Sequence, residues 1–241
     1  YTRGSPFIAK YASSIGDNTL LDFIIHRSKG VNFVDGDSAS LKNHWYPLLS
    51  ASMNAQLSTV SLLLYRGAHP DGPSSSDDSS SFNGVTPLHV VLYLIALYAI
   101  KGAEESRMAR VEGRRKTSLF SELIRIADIL IKAGASLSKT ASLQDISRIL
   151  HLNGCTSTQQ QNVLAGVDNS LFVSPFTLAC YSKNVQLVEL MMNSSQVSAV
   201  TTITSTENTL QPLHALLAPI GMTPPSILVD GHNTIKPWTQ S

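Results

Sequence analysis

Apolar and polar positions recur along this chain in one order. A small residue and a proline open an apolar helix, and a second apolar helix then ends in Gly-Ala. The clearest copy runs from Tyr46 to Ala68, and its second helix carries Val60, Leu63 and Leu64. Residues three and four positions apart share one face of a helix, so this spacing predicts an apolar stripe. The pattern therefore predicts an all-α chain built from helix pairs.

The residues at the ends of these helices agree with that interpretation. Proline suits the first helical turn, because its missing N–H would be unpaired there and its φ already fits a helix. Gly67 and Gly134 follow the last turn of a second helix, where glycine adopts the left-handed conformation that closes it. A single pair cannot bury its stripe alone, so neighbouring copies are predicted to stack.

The spacing of the copies shows where sequence has been added. Successive motif prolines are separated by 41, 40, 88 and 37 residues; they are Pro6, Pro47, Pro87, Pro175 and Pro212. From the proline to the glycine of Gly-Ala the distance is 20 residues in the second copy, 24 in the first and 47 in the third. We therefore expect a few extra residues around 14–17 and about one repeat's worth inserted near 101–118. The fourth copy lacks Gly-Ala, and the fifth stops after Leu217.

The motifs Thr86-Pro87-Leu88-His89 and Gln211-Pro212-Leu213-His214-Ala215 resemble the ankyrin repeat, whose pattern is T-P-L-H-x-A with G-A about twenty residues later. The resemblance implies a solenoid of stacked helix-turn-helix units with hairpin or loop fingers and inserted helices. It implies one domain over 1–241, with repeats near 5–35, 44–71, 84–137, 172–199 and, in part, 209–220. It also implies that His89 and His214 are structural and hydrogen-bond the backbone of their repeats.

Two further insertions separate the repeats. Residues 71–83 are almost wholly Ser, Asp, Gly and Pro, so we expect an acidic, mobile loop there. Residues 138–171 contain a predicted short helix followed by a loop. Ser142 can cap this helix, with Asp145 three residues later, and Gly154 follows its end. Its apolar stripe comprises Leu143, Ile146, Ile149 and Leu150. We expect this helix to cap or pad the stack.

Ankyrin repeats bind partners along the finger tips and the inner face of the first helices. By register, the tip positions here are Trp45, Val85 and Val173, and the first-helix positions are Met53, Asn54, Tyr93, Leu94, Tyr181 and Ser182. Aromatic and Met side chains are common binding anchors, which favours Trp45, Met53, Tyr93 and Tyr181. The alternative is that the third insertion folds back and covers these side chains as core.

The sequence gives no support for a catalytic or metal-binding site. The chain has no His-Glu-x-x-His, no phosphate-binding glycine loop and no Gly-x-Ser-x-Gly. We therefore expect no enzyme, no cofactor and no metal. The basic run at 114–116 is a solvated loop, a docking site for an acidic partner, or part of a kinase site at Thr117 or Ser118. Ser74 or Ser75 in the acidic insertion is a second candidate for phosphorylation.

Composition narrows the function further. A net charge of +1 gives no general attraction to nucleic acid. The apolar run at 90–100 is too short to span a bilayer. The chain has two cysteines, Cys155 and Cys180, neither of them in a Cys-x-x-Cys motif, and this usage suits the cytoplasm or nucleus. The chain starts at Tyr1 and its last motif is cut short, so we expect a piece of a longer protein.

These observations favour a non-catalytic protein–protein interaction module that binds a protein or an extended peptide on its concave face. The alternative is a regulatory ankyrin domain that makes an intramolecular contact with an enzyme or channel elsewhere in a longer parent chain. The sequence leaves the oligomeric state open.

Overall fold

The computed structural model describes residues 5–28, 31, 46–72, 84–105, 113–152, 154 and 172–194, and these are mostly helical. The helices are α1 (Ser5–Ile15), α2 (Asn18–Ser28), α3 (Pro47–Met53), α4 (Leu57–Tyr65), α5 (Pro87–Glu105), α6 (Gly113–Lys132), α7 (Leu143–Leu152), α8 (Pro175–Ser182) and α9 (Val185–Met192). Two short strands, β1 (Ala141–Ser142) and β2 (Phe172–Val173), pair antiparallel, with Ala141 opposite Val173. The predicted all-α class is confirmed for this part of the chain.

Eight of the described helices form four pairs that pack in chain order. The first helices contact one another in the sequence α1, α3, α5, α8, and the second helices do so in the sequence α2, α4, α6, α9. Each first helix also packs on its own second helix. Apolar side chains between the two rows form one continuous buried cluster. The core therefore depends on contacts between neighbouring pairs.

Polar side chains fix the first pair against the second. The Ser50 hydroxyl donates to the Lys10 carbonyl at 3.1 Å, and the Thr59 hydroxyl donates to Asn18 Oδ1 at 2.7 Å. Arg66 of the second pair forms an ion pair with Asp22 of the first. Because these groups lie between the pairs, they set the relative position of the helices as well as stabilising the contact.

The predicted helix closures at Gly67 and Gly134 are confirmed. Their φ angles are +88° and +90°, in the left-handed region. After α4, the Gly67 N–H donates to the Leu64 carbonyl and the Ala68 N–H donates to the Leu63 carbonyl. Ala135 and Gly134 repeat this arrangement after α6. These two bonds pair carbonyls that the end of a helix otherwise leaves without partners.

A left-handed residue also ends the first helix in three of the four pairs. Gly16, Ala55 and Lys183 have φ angles of +80°, +53° and +53°. The corresponding residue of the third pair is Ile95, which does not have a positive φ angle. Helix α5 continues through it to Glu105. The sharp turn that separates the helices of a pair is therefore tied to one backbone conformation.

The sequence added in the first and third copies lies mainly in helices. In the third copy, much of the segment near 101–118 lengthens α5 and α6 to 19 and 20 residues. In the first copy, residues 14–17 form no extended loop, because α1 runs to Ile15 and Gly16 turns the chain directly into α2. Both additions continue an existing helix, since a longer helix keeps its backbone hydrogen bonds satisfied without a new loop.

The helix predicted within residues 138–171 is present as α7. Its buried residues are those of the predicted stripe, Leu143, Ile146, Ile149 and Leu150, and Gly154 beyond its end has a φ of +69°. The chain enters α7 through β1 and reaches α8 through β2, so the paired strands hold both ends of the insertion at one finger. Residues 73–83 and the partial repeat near 209–220 lie outside the described part of the chain.

Candidate functional site

His89 lies at the centre of a buried hydrogen-bond network. The Thr86 N–H donates to His89 Nδ1 at 3.2 Å, and the His89 N–H donates back to the Thr86 hydroxyl. Because Nδ1 accepts, Nε2 carries the proton and donates to the Val173 carbonyl at 3.2 Å. This bond joins the start of α5 to β2, across 84 residues of sequence. The predicted structural role of His89 is confirmed; His214 lies outside the described residues.

Burial lowers the pKa of His89 to about 3, against some compensation from hydrogen bonds to the backbone of Val173 and Lys139. The imidazole is fully enclosed, so a charged ring would lose its hydration without gaining a carboxylate partner. His89 is therefore neutral at physiological pH. Because both ring nitrogens form internal hydrogen bonds, the neutral imidazole stabilises the fold and is not available for acid–base chemistry.

Helix α5 is enclosed by four other helices. It packs against α3 and α8 on its two sides, α6 behind and α7 on the remaining side. Every residue from Val85 to Leu97 is buried. Val90, Tyr93 and Leu97 share one face by their spacing, and Tyr93 is only 1% exposed. Apart from His89, this segment of α5 is apolar all round, as expected for a helical segment without a solvent face.

Helix α7 covers the surface of α5 around Tyr93, which we call the seat. The Ser147 hydroxyl of α7 lies within hydrogen-bonding reach of the Tyr93 hydroxyl. Burial raises the pKa of Tyr93, so the phenol stays protonated. The four aliphatic side chains of α7 are buried, and each contributes roughly 1.5–3 kcal/mol when fully removed from water. The insertion therefore folds back over the repeat, as the alternative interpretation of Tyr93 anticipated.

The predicted exposure of most proposed partner-binding residues was wrong. The buried ones are Met53, Val85, Tyr93, Leu94, Val173 and Ser182. Met53 belongs to α3, all seven residues of which are buried because α1, α4 and α5 surround that helix. Val173 lies in the strand pair, and the Ser182 hydroxyl bonds back to the Ala179 carbonyl at 2.7 Å. These side chains are core and cannot anchor a partner in this conformation.

The remaining proposed residues divide into two groups. Asn54 and Tyr181 are partly exposed: the Asn54 amide donates to the Ser50 carbonyl, and Tyr181 packs against the core. Burial raises the pKa of Tyr181. Trp45, Ser74 and Ser75 lie outside the described residues. Thr117 and Ser118 fall in the first turns of α6, and their side chains are not described.

The first helix pair exposes an apolar surface that sequence reasoning missed. We call it the end face; its members are Phe7 (65% exposed), Ile8 (43%), Tyr11 (57%), Ile15 (51%) and Phe23 (58%). Among residues 7–15 of α1, those that are buried are the small residues Ala9, Ala12 and Ser13. That stripe of small residues is the sequence signal from which the end face could have been found. It marks the inner side of α1 and leaves the large apolar residues on the outer side.

The end face lies away from the second pair. On α2, Asn18 and Asp22 contact the second pair and are one helical turn apart. Phe23 and Arg27 are also one turn apart, but they are turned by more than 90° from Asn18 and Asp22. In each of the other described pairs, the corresponding side packs against the preceding helix pair.

Positive charge borders the end face. The Arg27 guanidinium lies 5.2 Å from the centre of the Phe23 ring, a cation–π arrangement, and His26 beside it is exposed. Asp22 is engaged with Arg66 of the second pair. An apolar surface edged by a guanidinium favours a partner that presents apolar side chains beside a carboxylate.

Within the part of the chain that the structure describes, no three His, Cys, Asp or Glu residues are grouped to hold a metal ion. Cys180 is buried, and burial raises the pKa of its thiol to about 11, which keeps it protonated and unreactive. No helix among the described residues has both the length and the apolar character needed to cross a membrane.

Comparison with other proteins leaves the family open. The sequence matches no protein-family model, and no curated protein sequence matches it significantly. The reasoning on function therefore starts from the residues and contacts described above.

Proposed function

We propose that this chain is a non-catalytic protein-interaction domain of the ankyrin-repeat type, and that it binds its partner through the end face. The observation that carries the proposal is the exposure of five large apolar side chains on one helix pair. Contiguous apolar surface on a protein otherwise rich in buried apolar residues commonly marks a site of contact. The cysteine usage fits a cytoplasmic or nuclear protein.

The ankyrin-repeat assignment is supported by three features together. The pairs pack first helix to first helix and second helix to second helix. Thr86 and His89 bond each other and the neighbouring finger. Left-handed residues end both helices of the second pair, at Ala55 and Gly67. Each feature follows from stacking short helix pairs, and the resemblance of the Thr-Pro-Leu-His motif points to the same architecture.

The proposed partner is a protein that presents an apolar surface with an acidic edge. Tyr11 and Phe23 supply rigid contact area that loses little conformational entropy on binding. Arg27 supplies a planar donor for a carboxylate at the border. The concave-face site expected from sequence is not retained, because most of its described residues are core or are covered by α7.

Site-specific photo-crosslinking tests this proposal. The full chain would carry a photoreactive phenylalanine analogue at position 11 or 23, with position 65 as the control. Tyr65 is 86% exposed on α4 of the second pair and does not belong to the end face, so it reports nonspecific contact. We expect crosslinks to a partner at 11 and 23 and not at 65. Equal capture at all three positions, or none at 11 and 23, contradicts the end-face proposal.

The same experiment separates the two functional alternatives. Crosslinks to another polypeptide support the interaction module, whereas crosslinks confined to the protein's own longer chain support the regulatory intramolecular contact. Once a partner is identified, we expect Phe23→Ala to weaken its binding by about 1–3 kcal/mol, measured by calorimetric titration. Tyr65→Ala should leave the affinity unchanged.

A further inference from the structure

A helix already occupies the surface on which an ankyrin-type domain is expected to receive partners. Helix α7 lies on α5 over the seat, and Ser147 of α7 meets Tyr93 of α5. The seat is separate from the end face, because one belongs to the third pair and the other to the first. What α7 presents to the seat shows which ligand chemistry the seat accepts.

The pattern of α7 is specific. Its buried aliphatic residues, Leu143, Ile146, Ile149 and Leu150, stand at positions i, i+3, i+6 and i+7. Gln144, Arg148 and His151 are exposed on the other side. This is an amphipathic helix whose apolar side rests on α5 and whose polar side faces water. Helices of this kind dock into apolar grooves on many proteins.

Helix α7 packs on fewer of the described helices than α5 does. Among the described helices, α7 packs closely on α5 alone, whereas α5 packs on α3, α6 and α8 as well. The entry to α7 is pinned: β1 pairs with β2, and Gly84 lies against the Thr140 carbonyl oxygen so closely that it leaves no room for a side chain. If α7 left the seat, its first residues would stay in place and α5 would still be held by three neighbours.

We propose that the seat on α5 is a docking site for amphipathic helices, and that α7 fills it as a displaceable ligand within the chain. A partner helix fits the seat when it carries aliphatic residues at i, i+3, i+6 and i+7. A hydroxyl-bearing residue at i+4, where α7 has Ser147, then meets the Tyr93 hydroxyl. Such a helix binds when α7 leaves.

A peptide-binding experiment tests this directly. A fluorescently labelled peptide with the sequence of residues 141–154 is titrated into three full-length proteins: the wild type, Ile146→Asp and Gln144→Asp. Ile146 is fully buried, so a carboxylate there drives α7 off the seat. Gln144 is exposed on the same helix and provides the matched charge control. Fluorescence anisotropy reports the affinity.

We expect Ile146→Asp to bind the peptide at least tenfold more tightly than the wild type or Gln144→Asp. The peptide that itself carries Ile146→Asp should bind none of the three proteins. A folded Ile146→Asp protein with no gain in affinity overturns the proposal. The proposal is also overturned if the Ile146→Asp peptide binds as tightly as the unaltered peptide.

Hydrogen exchange on the wild-type chain decides the question even if Ile146→Asp does not fold. A displaceable α7 opens without unfolding α5, so the amides of residues 146–152 should exchange at least tenfold faster than those of residues 91–97. Equal exchange rates for the two segments would mean that α7 leaves only when the whole protein unfolds, and the proposal would then be wrong.

Discussion

Tyr11 in the first helix pair and Tyr93 in the third stand five and six residues after their motif prolines, and they are exposed to opposite extents. Tyr11 on α1 is 57% exposed, and Tyr93 on α5 is 1% exposed. The difference lies in their neighbours. Among the described first helices, α1 packs on α3 alone, whereas α5 packs on both α3 and α8 and also contacts α7. The true counterpart of Tyr11 on α5 is Leu92, five residues after Pro87, and it is fully buried. Exposure at one register position therefore depends on the helices packed around it.

The largest effect expected from this contrast is on stability. Tyr93→Ala should lower the free energy of unfolding by about 3–5 kcal/mol, because it leaves a cavity between α5 and α7. Tyr11→Ala should change it by no more than about 0.5 kcal/mol, since exposed side chains lose little on truncation. Urea denaturation followed by circular dichroism measures both. A small loss for Tyr93→Ala would show that α7 does not pack on α5 in solution.

The finger that leads into α7 can be tested with two glycines of similar backbone conformation. Gly84 and Gly67 have φ angles of +91° and +88°. An added methyl at Gly84 would overlap the Thr140 carbonyl oxygen, whereas one at Gly67 meets no atom within 4 Å. We expect Gly67→Ala to cost about 1 kcal/mol, from the left-handed backbone alone. Gly84→Ala should cost about 3 kcal/mol, because the overlap adds to that strain. Equal losses in urea denaturation would exclude the close approach.

Much of this fold could be predicted from local residue patterns. Proline at the start of α3, the glycines after α4 and α6, and the stripe of α7 each act within a few residues, and all were correctly interpreted. The apolar run at 90–100 indicates a long first helix, but no residue pattern fixes its end at Glu105. The burial of Tyr93 could not be derived, because the covering Ser147 lies far away in sequence. The end face was not predicted, because the small residues Ala9 and Ala12 mark the packed side of α1 but do not show whether another helix covers its opposite side.

A third prediction contrasts a buried with an exposed histidine. The pKa of His89 is about 3 in the folded protein and about 6.5 when unfolded, so the unfolded state binds more protons between these values. The contribution of His89 to stability is complete above pH 6.5 and is lost as the pH falls. We expect the free energy of unfolding to drop by about 1 kcal/mol per pH unit below 6.5, or roughly 2 kcal/mol at pH 5.

The control for this pH dependence compares two substitutions. His89→Gln should flatten the fall in stability between pH 6.5 and 5, since the titrating group is gone. His26→Gln, at an exposed position on α2, should leave the slope unchanged. Urea denaturation at several pH values measures both. A slope that survives His89→Gln would mean that another group causes the acid sensitivity.

Chemical labelling of tyrosines tests the central contrast most directly. The native full-length protein is nitrated under limiting conditions, and each modified tyrosine is located by mass spectrometry. Tyr11 and Tyr65 are exposed and should react, whereas Tyr46 and Tyr93, at 7% and 1% exposure, should remain unmodified until the protein unfolds. Nitration of Tyr93 as fast as that of Tyr11 would contradict the packing of α7 on α5. Protection of Tyr11 in the isolated protein would contradict an open end face.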